Sequence, residues 1–309
     1  MGAFPRRWLV AVLVVGACER PAVERANDTT RSTVPPPPPP PEVTVATDTP
    51  WDTAAGPAFL VMGATPDQAA LIVPFVDTAT SVDTLKVPLT PWRGVAFDFF
   101  RQGMSVGTAS AGDSIALDAP DDCSAWPALR VARGDTTGWT VAFPTGRFAA
   151  LGVDSLAGLT PRDSAGLTRE LARVASGAPG DTADAMRGLP YVVHRAWRTT
   201  LPSGRSWVLA EIDRTLNQEA NPVHEHLLLV AERDTSATSR WELAWSERMV
   251  GGEEASESID LVVIGTPRGR PEPVILFARY LGDGVIYAML QRESTGRWRL
   301  RWTSPYVGC

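Results

Sequence analysis

The sequence predicts a mainly β protein, α+β overall, with antiparallel sheets and a short helical insertion around residues 160–188. Two observations indicate this class. Short runs rich in Val, Leu, Ile and Phe alternate with Gly, Pro and Asp-Thr turns along most of the chain, as in sandwiches and barrels. Between residues 160 and 188, the spacing of apolar residues instead becomes that of a helix.

The first eighteen residues have the order of an export signal. Arg6 and Arg7 precede an apolar run, Trp8–Val15, and two small residues separate that run from Cys18. The run is shorter than the roughly 20 apolar residues that a membrane-spanning helix needs. We therefore predict a cleaved signal rather than a stable span.

Residues Val15–Cys18 resemble the lipobox of bacterial lipoproteins. The resemblance implies that residues 1–17 are a signal peptide, that Cys18 carries the lipid anchor, and that the mature chain stays in the cell envelope, with the outer membrane or the periplasmic face favoured. Several acyl chains hold a protein firmly because each buried methylene contributes about 0.8 kcal/mol. An ordinary secretory signal with a chance cysteine is the alternative.

Residues 18–50 are predicted to form a proline-rich, disordered linker. The consecutive prolines Pro35–Pro41 cannot donate backbone hydrogen bonds and favour an extended spacer of about 3.1 Å per residue. A proline-rich ligand for another domain is the alternative.

The rest of the chain divides into an N-terminal β domain (residues 51–155), a helical segment (156–190) and a C-terminal β-repeat region (191–309). The strands predicted in the first region are Ala58–Met62, Ala69–Val76, Thr84–Leu89, Gly94–Phe100, Ser105–Ala109, Ala128–Ala132, Trp139–Phe143 and Phe148–Gly152.

The helical segment begins with a capping signal. Thr160 and Asp163 resemble a capping box, and Pro161 suits the first helical position. One apolar stripe predicts packing on a sheet, with a partner-binding face as the alternative, and consists of Leu167, Leu171 and Val174. Gly177 ends this helix, and a second short helix is predicted from Asp181 to Gly188.

The C-terminal region contains an internal repeat. The pattern Arg-Trp-x-Leu-x-Trp occurs at residues 240–245 and 297–302, and each copy follows strands joined by a Gly-Arg turn. Period-two alternation predicts that Trp241, Leu243 and Trp245 lie on one face of a sheet, and that the second copy does the same. We interpret the indoles as core, with a carbohydrate-stacking surface as the alternative.

The last unit, residues 265–309, resembles the FG-GAP or VCBS repeats of β-propeller blades. The turn Gly282–Gly284 and the run Gly296–Trp298 carry the resemblance. It implies a blade-like shape. Calcium is not expected, because the loop at residues 265–272 lacks the Asp ligands.

Composition limits the partners and suggests one disulfide. The net charge of −6 becomes −8 without Arg6 and Arg7, so nucleic acid is not an expected partner. Lys86 is the only lysine, which excludes a Gly-Lys-Ser/Thr nucleotide loop. If Cys18 is acylated, Cys123 and Cys309 remain and are predicted to pair in an oxidising compartment.

The most site-like stretch spans residues 217–226. On a strand, His224 and His226 would share one face and Glu225 would point to the other. Two imidazoles with Glu219 would suit zinc with an open position, whereas polar side chains on an exposed strand are the alternative. The acidic turn at residues 251–260 could attract a cation, but it has no fixed ligand spacing and is interpreted as a solvated loop.

The sequence therefore favours a lipid-anchored, non-enzymatic binding or scaffolding module for an envelope protein or glycan. No cofactor is expected and no catalytic residue is assigned. A metal-dependent periplasmic or surface hydrolase that uses His224 and His226 is the alternative.

Overall fold

A closed barrel, two five-stranded sheets and one α-helix make up the described part of the chain. The residues described by this computed structural model are 58–74, 89–115, 125–132, 138–180, 186–201, 203–216, 222–236, 239–252, 257–270 and 272–308. Every strand pair is antiparallel, which confirms the predicted fold class. The signal segment, the linker and all three cysteines lie outside the described residues.

The barrel is formed by the first six strands, in the order β1-β2-β5-β4-β3-β6. Phe97, Phe99 and Trp139 fill its interior. Period-two alternation places the next residue after Phe99, Phe100, on the outer face of the barrel. The barrel strands are β1 (Phe59–Met62), β2 (Gln68–Ile72), β3 (Ala96–Arg101), β4 (Met104–Ile115), β5 (Ala128–Val131) and β6 (Val141–Pro144).

Each of the two sheets is a four-stranded meander with one short edge strand added, β8 (Asp154–Ser155) in sheet 1 and β7 (Phe148–Ala150) in sheet 2. Sheet 1 contains the first meander, β9 (Val192–Thr200), β10 (Ser206–Leu216), β11 (Val223–Arg233) and β12 (Glu242–Gly251). Sheet 2 contains the second meander, β13 (Glu257–Pro267), β14 (Val274–Leu281), β15 (Gly284–Arg292) and β16 (Trp298–Thr303).

The helix α1 (Pro161–Ser176) forms as predicted. Thr160 is its N-cap and accepts a hydrogen bond from the Asp163 amide, while Gly177 is its C-cap. Its apolar stripe packs on sheet 1. Short 3-10 turns lie at Thr90–Trp92 and Leu156–Gly158.

Seven of the eight strands predicted before residue 156 are present as β1–β7. The predicted strand Thr84–Leu89 and the second predicted helix fall mainly outside the described residues. Within those residues no helix is long and apolar enough to cross a membrane.

The layers are stacked in the order α1, sheet 1, sheet 2 and barrel. One apolar cluster joins α1 to sheet 1, a second joins sheets 1 and 2, and a third joins sheet 2 to the outer face of the barrel. One face of sheet 1 therefore packs on one face of sheet 2. The other face of sheet 1 is covered by α1, and the other face of sheet 2 is covered by the barrel.

The prediction that the motif tryptophans share one face is wrong. Trp241 packs under α1 but Trp245 faces sheet 2, and in the second copy Trp298 faces sheet 1 but Trp302 faces the barrel. A bulge between residues 243 and 245, and another between residues 300 and 302, inserts one unpaired residue and reverses the alternation. The motif tryptophans nevertheless pack in the apolar clusters, which agrees with our interpretation of them as core residues.

Candidate anion-binding cleft

Strand β11 directs charged residues to both faces of sheet 1, as the sequence predicts. Glu225 points to the α1 side and is completely buried, whereas His226 points to sheet 2. His224 is only partly buried and its Nδ1 lies 3.0 Å from the Thr215 hydroxyl across the hairpin. The long hairpin of β10 and β11 therefore determines where these side chains lie.

The Glu225 carboxylate is shared by two arginines. Arg214 Nη2 donates to both carboxylate oxygens, at 3.1 and 2.9 Å, and Arg248 Nη1 donates to Oε1. The Arg214 side chain is 6% exposed and that of Arg248 is 10% exposed. Both guanidiniums are nearly buried and donate to the same buried carboxylate, at distances that suit charge-assisted hydrogen bonds.

Tyr191 completes this cluster. Its hydroxyl donates to Glu225 Oε1 at 2.7 Å, and the Arg214 guanidinium lies 4.4 Å from the centre of its ring. Burial, followed by the hydrogen bond to Glu225, raises the pKa of Tyr191 above its ordinary value. The phenol therefore stays protonated and remains a donor.

The cluster forms the floor of an open cleft of about 690 Å³ beside the end of α1. We call it the arginine cleft, and its wall includes Ala178, Arg187, Tyr191, Arg214 and Arg248. Arg248 Nη2 also donates to the Ala178 carbonyl, which ties the segment after α1 to the sheet. No acidic side chain among the described residues lines this cleft.

A second concave surface, the arginine groove, lies between the first half of α1 and sheet 1 and has a volume of about 480 Å³. Trp241 forms part of it, with the Arg233 guanidinium 4.8 Å from the ring centre. The charged residues of the groove are Arg162, Asp163, Arg169, Glu170, Arg198, Arg233 and Arg240.

The acids of the groove already have partners. Thr160 donates to the Asp163 carboxylate, and Arg173 forms an ion pair with Glu170 at 2.9 Å. By contrast, the side chains of three groove arginines make no hydrogen bond or ion pair with any residue that the structure describes, namely Arg162, Arg169 and Arg240. The groove is therefore basic.

On the other side of sheet 1, His226 joins the two sheets. Its Nε2 lies 3.7 Å from Glu211 Oε1 and its Nδ1 lies 3.7 Å from Glu257 Oε1. Arg279 donates to both oxygens of Glu257 and to Glu247. All of these side chains except Glu247 are nearly buried, so the cluster is an interior ion network.

The interpretation of residues 251–260 as a solvated loop is wrong for Glu257. This residue begins β13 and is 4% exposed, because Arg279 and His226 hold its carboxylate between the sheets. Asp260 is exposed and pairs with Arg195. Glu253 and Glu254 lie outside the described residues.

The predicted zinc site stays a prediction. Glu219 lies outside the described residues, while His224 and His226 contact Thr215 and two glutamates respectively. Within the described ranges, no group of three His, Cys, Asp or Glu side chains is arranged to hold a metal ion.

Sequence reasoning missed the residues that build the arginine cleft. Arg214 lies in the apolar run of β10, and a charged residue on the buried face of a strand signals an interior partner. Arg248 and Tyr191 carry no such signal, since Arg248 reaches Glu225 from β12 and Tyr191 reaches it from the position just before β9.

In comparisons with protein-family models, curated proteins and solved structures, the chain gives no match.

Proposed function

We propose that this chain is a lipid-anchored, non-enzymatic binding protein of the bacterial cell envelope, and that its arginine-rich face binds an anionic envelope protein or glycan. One observation supports the proposal best: the arginine groove and the arginine cleft lie on the same, α1-bearing side of sheet 1. The whole chain has a net charge of −6, so this basic face runs against the average charge of the protein.

A basic concave face on an acidic protein attracts anions selectively. Low-dielectric walls focus the field of the arginines, while the acidic remainder repels an anionic ligand from other surfaces. The groove arginines that lack protein partners are exposed, so a ligand would not have to break ion pairs to reach them.

Binding to polyanions tests the proposal. We would measure the affinity of the chain from residue 19 to 309 for polyglutamate and for polygalacturonate, over a range of salt concentrations. We expect affinity for at least one probe, falling as salt screens the charges. The double variant R169E/R240E, which reverses two exposed groove charges, should bind at least tenfold more weakly.

The matched control is R268E/R297E, which reverses two exposed arginines of the second meander region. It should bind as well as the wild-type chain. Absence of binding to both probes, or equal losses in the two double variants, would contradict the proposal.

The anchor is tested separately in cells. The full precursor should incorporate labelled palmitate and sediment with membranes, whereas Cys18→Ser should do neither. Labelling of the Cys18→Ser chain would disprove the assignment of Cys18 as the acylated residue.

A further inference from the structure

We propose that Arg233 and Trp241 form a carboxylate-binding subsite in the arginine groove, and that this subsite takes an Asp or Glu side chain of a partner protein. Both residues line the groove. The inference rests on the proposed function and narrows it, because it names the chemical group that is bound and the kind of partner that carries it.

Arg233 and Trp241 occupy a position that occurs twice in the chain. In the Arg-Trp-x-Leu-x-Trp motif, Trp241 of the first meander corresponds to Trp298 of the second. Alignment of the strand registers on this motif makes Arg233 the counterpart of Arg292. Arg292 and Trp298 are a cross-strand pair. Arg233 ends β11 and Trp241 immediately precedes β12, so the first pair faces each other across the equivalent turn.

The pair in the second meander binds a carboxylate. Arg292 donates to both oxygens of Glu232, from Nε at 2.7 Å and from Nη2 at 3.2 Å. Trp298 Nε1 donates to Glu232 Oε1 at 2.7 Å. Arg205 is farther away, with its Nη1 3.9 Å from Oε2. The arginine and the indole N–H of this repeat therefore hold a glutamate that extends from the neighbouring sheet.

The pair in the first meander has the same donors but no carboxylate among the described residues. Arg233 makes no hydrogen bond or ion pair with any of them, and the indole N–H of Trp241 donates to none. On this face α1 takes the place of a neighbouring sheet, and its two groove acids, Asp163 and Glu170, have other partners. Residues 237–238 of the adjoining turn carry no carboxylate either. Both donors are therefore available to a carboxylate that a partner supplies.

Trp241 positions Arg233 without using its hydrogen-bond donors. The guanidinium carbon lies 4.8 Å from the centre of the indole, and Trp241 is itself fixed because it packs under α1. A cation–π contact holds the guanidinium and leaves its N–H groups able to donate to an oxyanion. Arg233 is half-buried in the wall of the groove, so it offers a pre-oriented fork that suits a planar carboxylate.

Two observations favour an acidic protein segment over a glycan. The carboxylate that the second pair holds belongs to a glutamate side chain, which is long enough to reach from an adjacent layer. Trp241 is only 4% exposed and Arg233 lies over its ring, so it has no open face on which a sugar could stack. The groove arginines without protein partners would attract an acidic segment towards the pair.

The test compares polyglutamate with polygalacturonate as ligands of the chain from residue 19 to 309 at equal ionic strength. We expect polyglutamate to bind, and R233K to bind it about tenfold more weakly, because lysine keeps the charge but loses the planar fork and one charge-assisted hydrogen bond. W241F keeps a ring beside Arg233 but removes the indole N–H. It should weaken binding by about threefold.

The matched control is R240K. Arg240 lines the same groove and, among the described residues, makes no hydrogen bond, ion pair or ring contact. Because lysine keeps the charge of this exposed residue, R240K should bind polyglutamate as the wild-type chain does. Thermal unfolding shows whether each variant is folded, and if W241F is not, the comparison of R233K with R240K decides.

Equal affinities of R233K and R240K for polyglutamate would overturn the subsite. The proposed function would survive that result if R169E/R240E still lost binding, since those charges act without the Arg233 pair. Binding of polygalacturonate that depends on Arg233, without binding of polyglutamate, would overturn the assignment of an acidic protein segment. If neither polyanion bound, the subsite and the proposed function would both fail.

Discussion

The two meanders share one design but differ in what they bury. Both have four antiparallel strands in simple order, and both have a bulge at the same position of the Arg-Trp-x-Leu-x-Trp motif, after Leu243 and after Leu300. The first meander lies between α1 and sheet 2, and the second lies between sheet 1 and the barrel. The repeat therefore preserves backbone pairing while its side chains adapt to each neighbour.

The sharpest difference is at the central hairpin. When the two meanders are aligned on the shared motif and its strand registers, Glu225 of the first corresponds to Gly284 of the second. Arg214 of the first corresponds to Leu281 of the second. The second hairpin turns at Gly284, whereas the first continues for two more residue pairs. The arginine cleft thus arises where one copy of the repeat extends beyond the other.

The same comparison explains the buried histidine. His226 and Glu211 correspond to Val285 and Ala278 of the second meander, which pack on the barrel. An ion network lies between the two sheets, and apolar contacts lie between sheet 2 and the barrel.

The largest effect is expected at Glu225. Glu225→Gln removes the buried carboxylate that Arg214 and Arg248 share, so we expect a loss of about 3–5 kcal/mol in the free energy of unfolding. Urea denaturation measures it. As a control, Asp113→Asn breaks an exposed ion pair with Arg93 and should cost less than about 1 kcal/mol. Equal losses in the two variants would refute the buried pair.

A backbone contact distinguishes Gly265 in the second meander from its counterpart Thr199 in the first. A Cβ at Gly265 would lie 2.3 Å from the Phe148 ring and 2.4 Å from the Ala149 carbonyl oxygen, so Gly265→Ala should push β7 away and cost about 3 kcal/mol. Thr199→Ala removes only a hydrogen bond to the Gly152 carbonyl, worth about 1 kcal/mol. Thermal unfolding of both variants checks the order, and a smaller loss for Gly265→Ala would contradict it.

Tyr287 gives the second meander a dependence on alkaline pH that its counterpart Leu228 cannot give. Burial raises the pKa of Tyr287, so above about pH 10 the folded chain keeps a proton that the unfolded chain releases. Stability should then fall by about 1.4 kcal/mol per pH unit from this group. Urea denaturation of wild-type and Tyr287→Phe chains should give parallel curves below pH 9 and a shallower decline for the variant above it.

The smallest expected effect concerns α1, which covers the first meander. Thr160→Ala removes the N-cap acceptor of the Asp163 amide and should cost about 1 kcal/mol. Thr168→Ala, inside the same helix, serves as control and should be neutral or slightly stabilising, since alanine is the better helix former. Denaturation midpoints of the two variants measure the difference, and indistinguishable midpoints would argue against the cap.

Local patterns predicted the elements well, for identifiable reasons. The strands before residue 156 follow from apolar runs between turn residues, and α1 follows from its cap, its stripe and Gly177, all of which act within a few residues. The faces of the motif tryptophans could not be predicted, because a single unpaired residue at a bulge reverses the period-two pattern and leaves no mark in the sequence.

By itself, the sequence determined the antiparallel β class, the position of α1, the repeat and the opposite orientations of Glu225 and His226. Each depends on neighbours a few residues apart or on a visible period. Only the tertiary structure decided that Tyr191, Arg214 and Arg248 meet at Glu225, and that His226 meets Glu257 from the other sheet. Those contacts join residues that are far apart in the sequence and are brought together by strand pairing and layer stacking, so no local pattern specifies them.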